Sequence, residues 1–179
     1  METDKNNPEA ASPEHSDISY EKHTESHSAD HAVSTGNIIT LETVIDLWSQ
    51  TYNTEGKPDW SHILPYYDND ILFRDTVQEI RGIEEFTAMT ERLTKRSKDL
   101  SMKIVNAVQS DNFVFLEWEM TIKFKKNPSS VLYGTSRLTL NKNGKIAEQR
   151  DYYDLWGDIF DNIPRFGKAY RRFMKKRFG

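Results

Sequence analysis

From Leu100 onward the chain runs through four long strand-like stretches, Leu100–Gln109, Phe113–Lys125, Val131–Asn141 and Lys145–Leu155. The turns between them, "SDN", "KKNPSS" and "KNGK", are short and polar, so consecutive stretches read as antiparallel partners. Within 113–125, Val114, Leu116, Trp118, Met120, Ile122 and Phe124 share one face, and Phe113, Phe115, Glu117 and Glu119 share the other. A sheet with apolar side chains on both faces has to be covered on both. Helices earlier in the chain can cover one side only. At roughly 1.5–3 kcal/mol for each large apolar side chain buried, a second copy of the sheet is the simplest cover for the other. A homodimer through the sheet is therefore expected; a tightly curled sheet packing on itself is the alternative.

The segment before these strands supplies the helices. Thr40 suits an N-cap, and Leu41, Val44, Ile45, Trp48 and Tyr52 follow at helical spacing. "NTEGKP" breaks that helix, Asp59 can cap a short second one at "WSHIL", and Pro65 curtails it. "YYDND" then leads into a strand over Ile71–Thr76, where Ile71, Phe73 and Asp75 share a face. After a loop ending at Gly82, "IEEFTAMTERLTKRS" reads as a third helix with Ile83, Phe86, Met89 and Leu93 inward. The predicted class is α+β, a cone-shaped curved antiparallel sheet backed by N-terminal helices.

Both ends of the chain differ from this body. Residues 1–36 hold eight acids against Lys5 and Lys22, a net charge of −6. Removing these from the chain's 24 basic and 28 acidic residues leaves 22 and 20, so the body is near neutral. With so few large apolar side chains, 1–36 is predicted to be a disordered acidic tail. His23, His27 and His31 recur every four residues there, a spacing that would align them on a helix for a metal. No helix-forming pattern surrounds them, and a solvated tail is the simpler reading. At the other end, "IPRFGKAYRRFMKKRFG" has seven Lys or Arg and no acid, with Ile163, Phe166, Tyr170, Phe173 and Met174 at helical spacing. That is a basic amphipathic helix. Its apolar side is expected to dock on the domain, with weak contact to an anionic membrane as the other outcome. The expected organisation is thus a tail over 1–36, a domain over 37–160 and a basic segment over 161–179.

Composition removes several function classes. There is no cysteine, which excludes disulfides, thiolate catalysis and cysteine-type zinc sites. No signal-peptide pattern opens the chain, and no stretch approaches the ~20 apolar residues of a membrane span, so a cytoplasmic location is expected. His62 is the one histidine in the body, which makes a histidine-based metal site improbable. No phosphate-cradling glycine loop and no nucleophile elbow occur. Neither a cofactor nor a specific nucleic-acid partner is expected.

Two carboxylates stand where apolar strands make them conspicuous, Asp75 in "ILFRDT" and Asp151 in "GKIAEQRDYYDLW". A buried carboxylate is costly unless paired or protonated, and desolvation raises its pKa toward the range of a useful base. Each has a plainer reading. Asp75 could accept hydrogen bonds from the loop 76–82, including Arg81, and Asp151 could pair with Arg150 or Arg137 at the sheet surface. Alternation groups Asp151 with Gln149 and Tyr153, apart from Arg150, Tyr152 and Asp154. Glu119 is a third candidate acid, with a solvated strand face as its alternative. Trp48, Tyr66, Phe73 and Trp118 are the expected pocket walls, with Tyr67 beside them; plain core packing is the other reading.

The order helix, helix, strand, helix and four long strands, together with "YYDNDILFRDTVQEIRG" and "NGKIAEQRDYYDLW", resembles the nuclear transport factor 2-like superfamily over 40–156. It resembles most the SnoaL-like members, which include polyketide cyclases, with ketosteroid isomerases and limonene-epoxide hydrolases as relatives. The resemblance implies a small apolar ligand or substrate, and possible roles in isomerisation, cyclisation or hydrolysis by carboxylate acid–base chemistry. Non-catalytic ligand binding or protein interaction on the same fold is the alternative. It implies that Asp75 stands where ketosteroid isomerases keep their general base, with Asp151 as acid or orienting group. Those isomerases' oxyanion donors are not matched, since Trp48 or Ser49 and Ser136 occupy the corresponding places. "RDYYDL" matches the epoxide hydrolases' strand motif and places Asp151 at one of their acids, with Glu119 near the second. Glu117 and Trp118 stand where their arginine is expected.

Overall fold

The computed structural model describes residues 39–53, 57–126 and 128–179. The expected acidic tail over 1–36, with its three histidines, lies outside the described residues. Helix α1 (Leu41–Tyr52) starts as its sequence dictates: the Thr40 hydroxyl accepts from the Thr43 amide at 3.3 Å, and the Thr43 hydroxyl accepts from the Thr40 amide at 2.7 Å. Its buried face is Val44, Leu47, Trp48, Thr51 and Tyr52. Ile45, expected inward, is 39 % exposed, and Leu47 takes its place. The helix is rotated so that Trp48 and Tyr52 point at the core while Ile45 sits at the flank.

Two short 3₁₀ turns follow, the first capped by the Asp59 carboxylate on the Ser61 amide at 3.0 Å. Strand β1 (Tyr67–Arg74) begins four residues before the expected Ile71, and β2 (Glu79–Arg81) forms where a loop was expected. A tight turn makes that hairpin possible. Asp75 Oδ1 accepts from the Val77 amide at 2.7 Å and the Gln78 amide at 2.8 Å. Gly82, at φ +85°, turns the chain out of β2 into helix α2 (Ile83–Arg96).

The four long strands are β3 (Ser97–Ser110), β4 (Phe113–Phe124), β5 (Ser130–Leu140) and β6 (Ile146–Tyr153). The six-stranded sheet has the order β2–β1–β6–β5–β4–β3 and is curved and unclosed. Every pairing is antiparallel except β1 with β6, which run parallel with Phe73 opposite Gln149. This parallel pair brings the early strand beside the last one, and Asp75 onto the same end of the sheet as Asp151. Helix α1 packs on β3, and α2 packs on β1, β2 and β3. Val114, Leu116, Trp118, Met120 and Ile122 of β4 lie in the core between sheet and helices, with Ile71, Phe73, Leu132 and Leu138.

After β6 the chain makes a π turn (Leu155–Ile159), a 3₁₀ turn and helix α3 (Phe166–Phe178). Tyr170 stacks on Trp156 at 5.1 Å between centroids, and Phe160 and Phe166 complete the aromatic group. Arg171 of α3 pairs with Asp161 at 2.5 Å. The basic segment is therefore docked through the first half of its apolar side, while Phe173 and Phe178 stay exposed. Among the described residues no helix is long and apolar enough to cross a membrane.

Candidate active site

Between the concave face of the sheet and the helices lies a cavity of about 340 Å³. Its walls are mostly apolar: Trp48, Ile63, Phe73, Phe86, Trp118 and Met120 are among them. Asp75 and Asp151 both line it. The strand alternation accounts for this convergence. Gln149, Asp151 and Tyr153 share the inner face of β6, and Ser136 stands directly opposite Asp151 on β5.

Asp151 is held at one oxygen and open at the other. Its Oδ1 accepts from the Ser136 hydroxyl at 2.6 Å and from the Gln149 side-chain amide at 2.9 Å. Both donors are themselves fixed from behind. Ser136 Oγ accepts from Trp118 Nε1 at 2.9 Å, and Gln149 Oε1 accepts from the buried Tyr67 hydroxyl. Because Ser136 and Gln149 both present hydrogens to Oδ1, a proton on this carboxyl belongs on Oδ2. No group among the described residues donates to Oδ2, and Asp151 is part of the cavity lining.

Burial pushes the Asp151 carboxyl up to about 6; the Ser136 and Gln149 hydrogen bonds pull the other way, and the charge of Asp75 adds to the rise. The surrounding phenols respond to the same environment. Burial raises Tyr67 and Tyr52, with the Asp151 charge contributing to both. Burial also pushes Tyr153 up to about 12, with the charges of Asp75 and Asp151 adding to it.

The network depends on one glycine. A Cβ at Gly134 would come within 2.4 Å of the Trp118 ring and 2.8 Å of the Tyr152 carbonyl oxygen. Gly134 thus leaves room for the indole to lie across β5 and reach Ser136.

Asp75 sits one residue beyond β1 and divides its oxygens between two tasks. Oδ1 ties the β1–β2 turn, as the loop-capping reading held, although through Val77 and Gln78 rather than Arg81. Arg81 pairs with Glu79 instead. Oδ2 accepts from the Tyr153 hydroxyl over a long 3.3 Å. Asp151 pairs with neither arginine considered for it: Arg137 binds Glu148 at 2.9 Å, and Arg150 lies over the Tyr152 ring.

Glu119 is not part of this site. It lies on the outer face of β4, between Lys103 of β3 and Tyr133 of β5, because Trp118 and Met120 on either side take the inward positions. Tyr66 is half-buried and does not line the cavity; its neighbour Tyr67 does, on the same buried face of β1 as Ile71 and Phe73. Trp48, Phe73 and Trp118 are part of its lining. Gln149 and Tyr153 went unassigned from sequence, although their spacing from Asp151 was the available signal. Among the described residues, no group of three or more His, Asp or Glu side chains could hold a metal ion.

Residues 48–149 match the model of the SnoaL-like domain. No protein with curated function matches the sequence. Among solved structures, the chain is similar to a hypothetical protein of ketosteroid isomerase-like fold from Catenulispora acidiphila, in complex with trimethylamine. That match has 16 % identity and a TM-score of 0.58, covering 70 % of this chain and 94 % of the other. An LEH-like epoxide hydrolase from M. tuberculosis aligns with 17 % identity and a TM-score of 0.55, over 74 % of this chain and 97 % of the hydrolase. A candidate SnoaL-like polyketide cyclase from Shewanella denitrificans aligns with 16 % identity and a TM-score of 0.53, over 63 % and 88 %. At these identities the likeness establishes the fold.

Proposed function

This chain belongs to the SnoaL-like domain family, and from that premise we propose that its cavity binds a small apolar carbonyl compound and moves a proton on it without a cofactor. One observation carries the reading: Asp151 lines an apolar cavity, with one oxygen held by two fixed donors, the other without a donor among the described residues, and its acidity moved to about 6. Above that pH the ionised Oδ2 is a base poised near neutrality, and it receives a proton from the carbon next to a bound carbonyl. The electron pair left by that C–H bond moves into the carbonyl, which becomes an enolate oxygen. The Tyr153 hydroxyl, bonded to Asp75 over a long 3.3 Å and also interacting with the Thr76 side chain, is the donor able to turn toward that oxygen. Return of the proton from Asp151 to another position completes an isomerisation.

In this scheme the roles expected from sequence are exchanged. Asp151 is the proton carrier, and Asp75, with Oδ1 committed to its turn, positions Tyr153. The cavity's apolar walls support the ligand class.

The test uses 2-tetralone in D₂O, with exchange of its α-hydrogens followed by proton NMR. The wild-type protein is expected to accelerate exchange over buffer, and Asp151→Asn to abolish the acceleration while still binding the ketone by tryptophan fluorescence. Bound ketone with exchange no faster than buffer contradicts proton transfer and leaves the alternative, a non-catalytic ligand-binding module.

A further inference from the structure

Two arginines on α2 face the same cavity and have no part in the scheme above. Arg92 and Arg96 are one helical turn apart, and both contribute to the cavity lining beside Met89 and Leu93. Both are exposed, so they stand at the mouth rather than in the interior. Among the described residues neither pairs with an acid. Asp99, three residues beyond Arg96, is engaged elsewhere, holding Lys123 at 2.6 Å. Lys125, the cation that follows β4, donates to the Lys95 carbonyl at 2.6 Å.

The placement of charge along the cavity is therefore unequal. Asp75 and Asp151 of its lining are half-buried, whereas Arg92 and Arg96 are exposed and have no counter-ion among the described residues. An anion is repelled by the first pair and attracted by the second, and low-dielectric walls strengthen both effects. A solvated helix face explains the exposure of Arg92 and Arg96. It does not explain why two unpaired guanidiniums border an apolar cavity, where an uncharged ligand would gain nothing from them.

We propose that the ligand is an apolar carboxylic acid, whose carboxylate is held at the mouth by Arg92 and Arg96 while its apolar body extends toward Asp151. The planar fork of a guanidinium matches the two oxygens of a carboxylate. The charge gradient then fixes one orientation, with the carboxylate outward and the reacting end inward. This rests on the reading of the cavity as a ligand site, and it adds the class of molecule and its direction.

Decanoate and 1-decanol share an apolar chain and differ in charge, so the pair isolates the contribution of the arginines. Each is titrated at pH 7.5 and low salt into the wild-type protein and into the Arg92→Gln/Arg96→Gln variant. The readout is the fluorescence of the cavity-lining Trp48, Trp60 and Trp118. Wild-type protein is expected to bind decanoate about tenfold more tightly than 1-decanol, and the variant to lose that margin with 1-decanol affinity unchanged. Both substitutions are on the exposed helix surface and keep good helix formers, so folding is preserved. Equal affinities that the double substitution leaves alone overturn this inference and spare the ligand-site reading. Binding of neither compound removes the ligand-site reading itself, and this inference with it.

Discussion

Asp151 owes its altered acidity to an imbalance between its two oxygens. Two donors satisfy Oδ1, but they do not offset the loss of water around the rest of the carboxyl, and the midpoint settles at about 6. An unfolded aspartate titrates near 3.9. Between those two values the folded chain holds more protons than the unfolded one, so this residue's contribution to stability declines as pH rises from about 4 to about 6. Above about 6 the folded state bears the whole cost of an ionised carboxyl in the cavity, roughly 3 kcal/mol. Asp151→Asn keeps an acceptor for Ser136 and Gln149 and carries no charge. It is expected to raise the melting temperature by roughly 6–12 °C at pH 7.5, with a clearly smaller gain at pH 4.5. Thermal denaturation at the two pH values checks this; an unchanged or lowered melting point at pH 7.5 contradicts the origin assigned to the shift. Asp75 and Asp151 were legible in the sequence because a carboxylate on an apolar strand is conspicuous and the period of two fixes its face. Ser136 was less so, because its role depends on its register with Asp151 and on the reach of Trp118 across Gly134.

The elements differ in how far local sequence determines them. The long strands and their turns followed from alternation, and α2 from its periodicity, since each carries its own pattern. Strand β2 did not, because three residues are too few for a pattern; it exists because the Asp75 turn delivers it to the edge of β1. The parallel β1–β6 pair is likewise a tertiary event, joining segments that no hairpin links. Helix α3 is the element whose role is most open to experiment. Its aromatic group with Trp156 and Phe160 is a modest anchor, and its exposed side presents Lys168, Arg172, Lys175 and Lys176 to solvent. Deleting 165–179 is expected to remove about 2 kcal/mol of burial and lower the melting temperature by roughly 4–8 °C. Unchanged melting together with lost binding to anionic vesicles contradicts docking as the purpose of this helix and assigns it to a membrane surface.

At the scale of the molecule, the sheet's curvature separates an inner face that encloses the cavity from an outer face with no cover among the described residues. Phe113, Phe115, Val108, Val131, Tyr133 and Tyr152 are exposed on that outer face, interspersed with Arg137, Arg150, Glu117 and Glu119. We propose that two copies of the chain meet through it. Light scattering on the purified protein is expected to give the mass of a dimer, and Phe115→Glu/Tyr133→Glu to give a monomer with an unchanged circular dichroism spectrum; a monomeric wild-type protein contradicts the proposal. The cavity-lining Trp118, Met120, Leu132 and Ser136 alternate with the outer-face residues and stand on the opposite face of the sheet. The site's defining property is a carboxyl that exchanges its proton near neutrality inside an apolar enclosure. The most direct measurement is a ¹³C NMR titration of the side-chain carboxyl carbons in the folded protein, with Asp151 assigned by its loss in Asp151→Asn. The expected result is a midpoint near 6 for Asp151. A midpoint near 4, that of an ordinary solvated aspartate, would contradict the account.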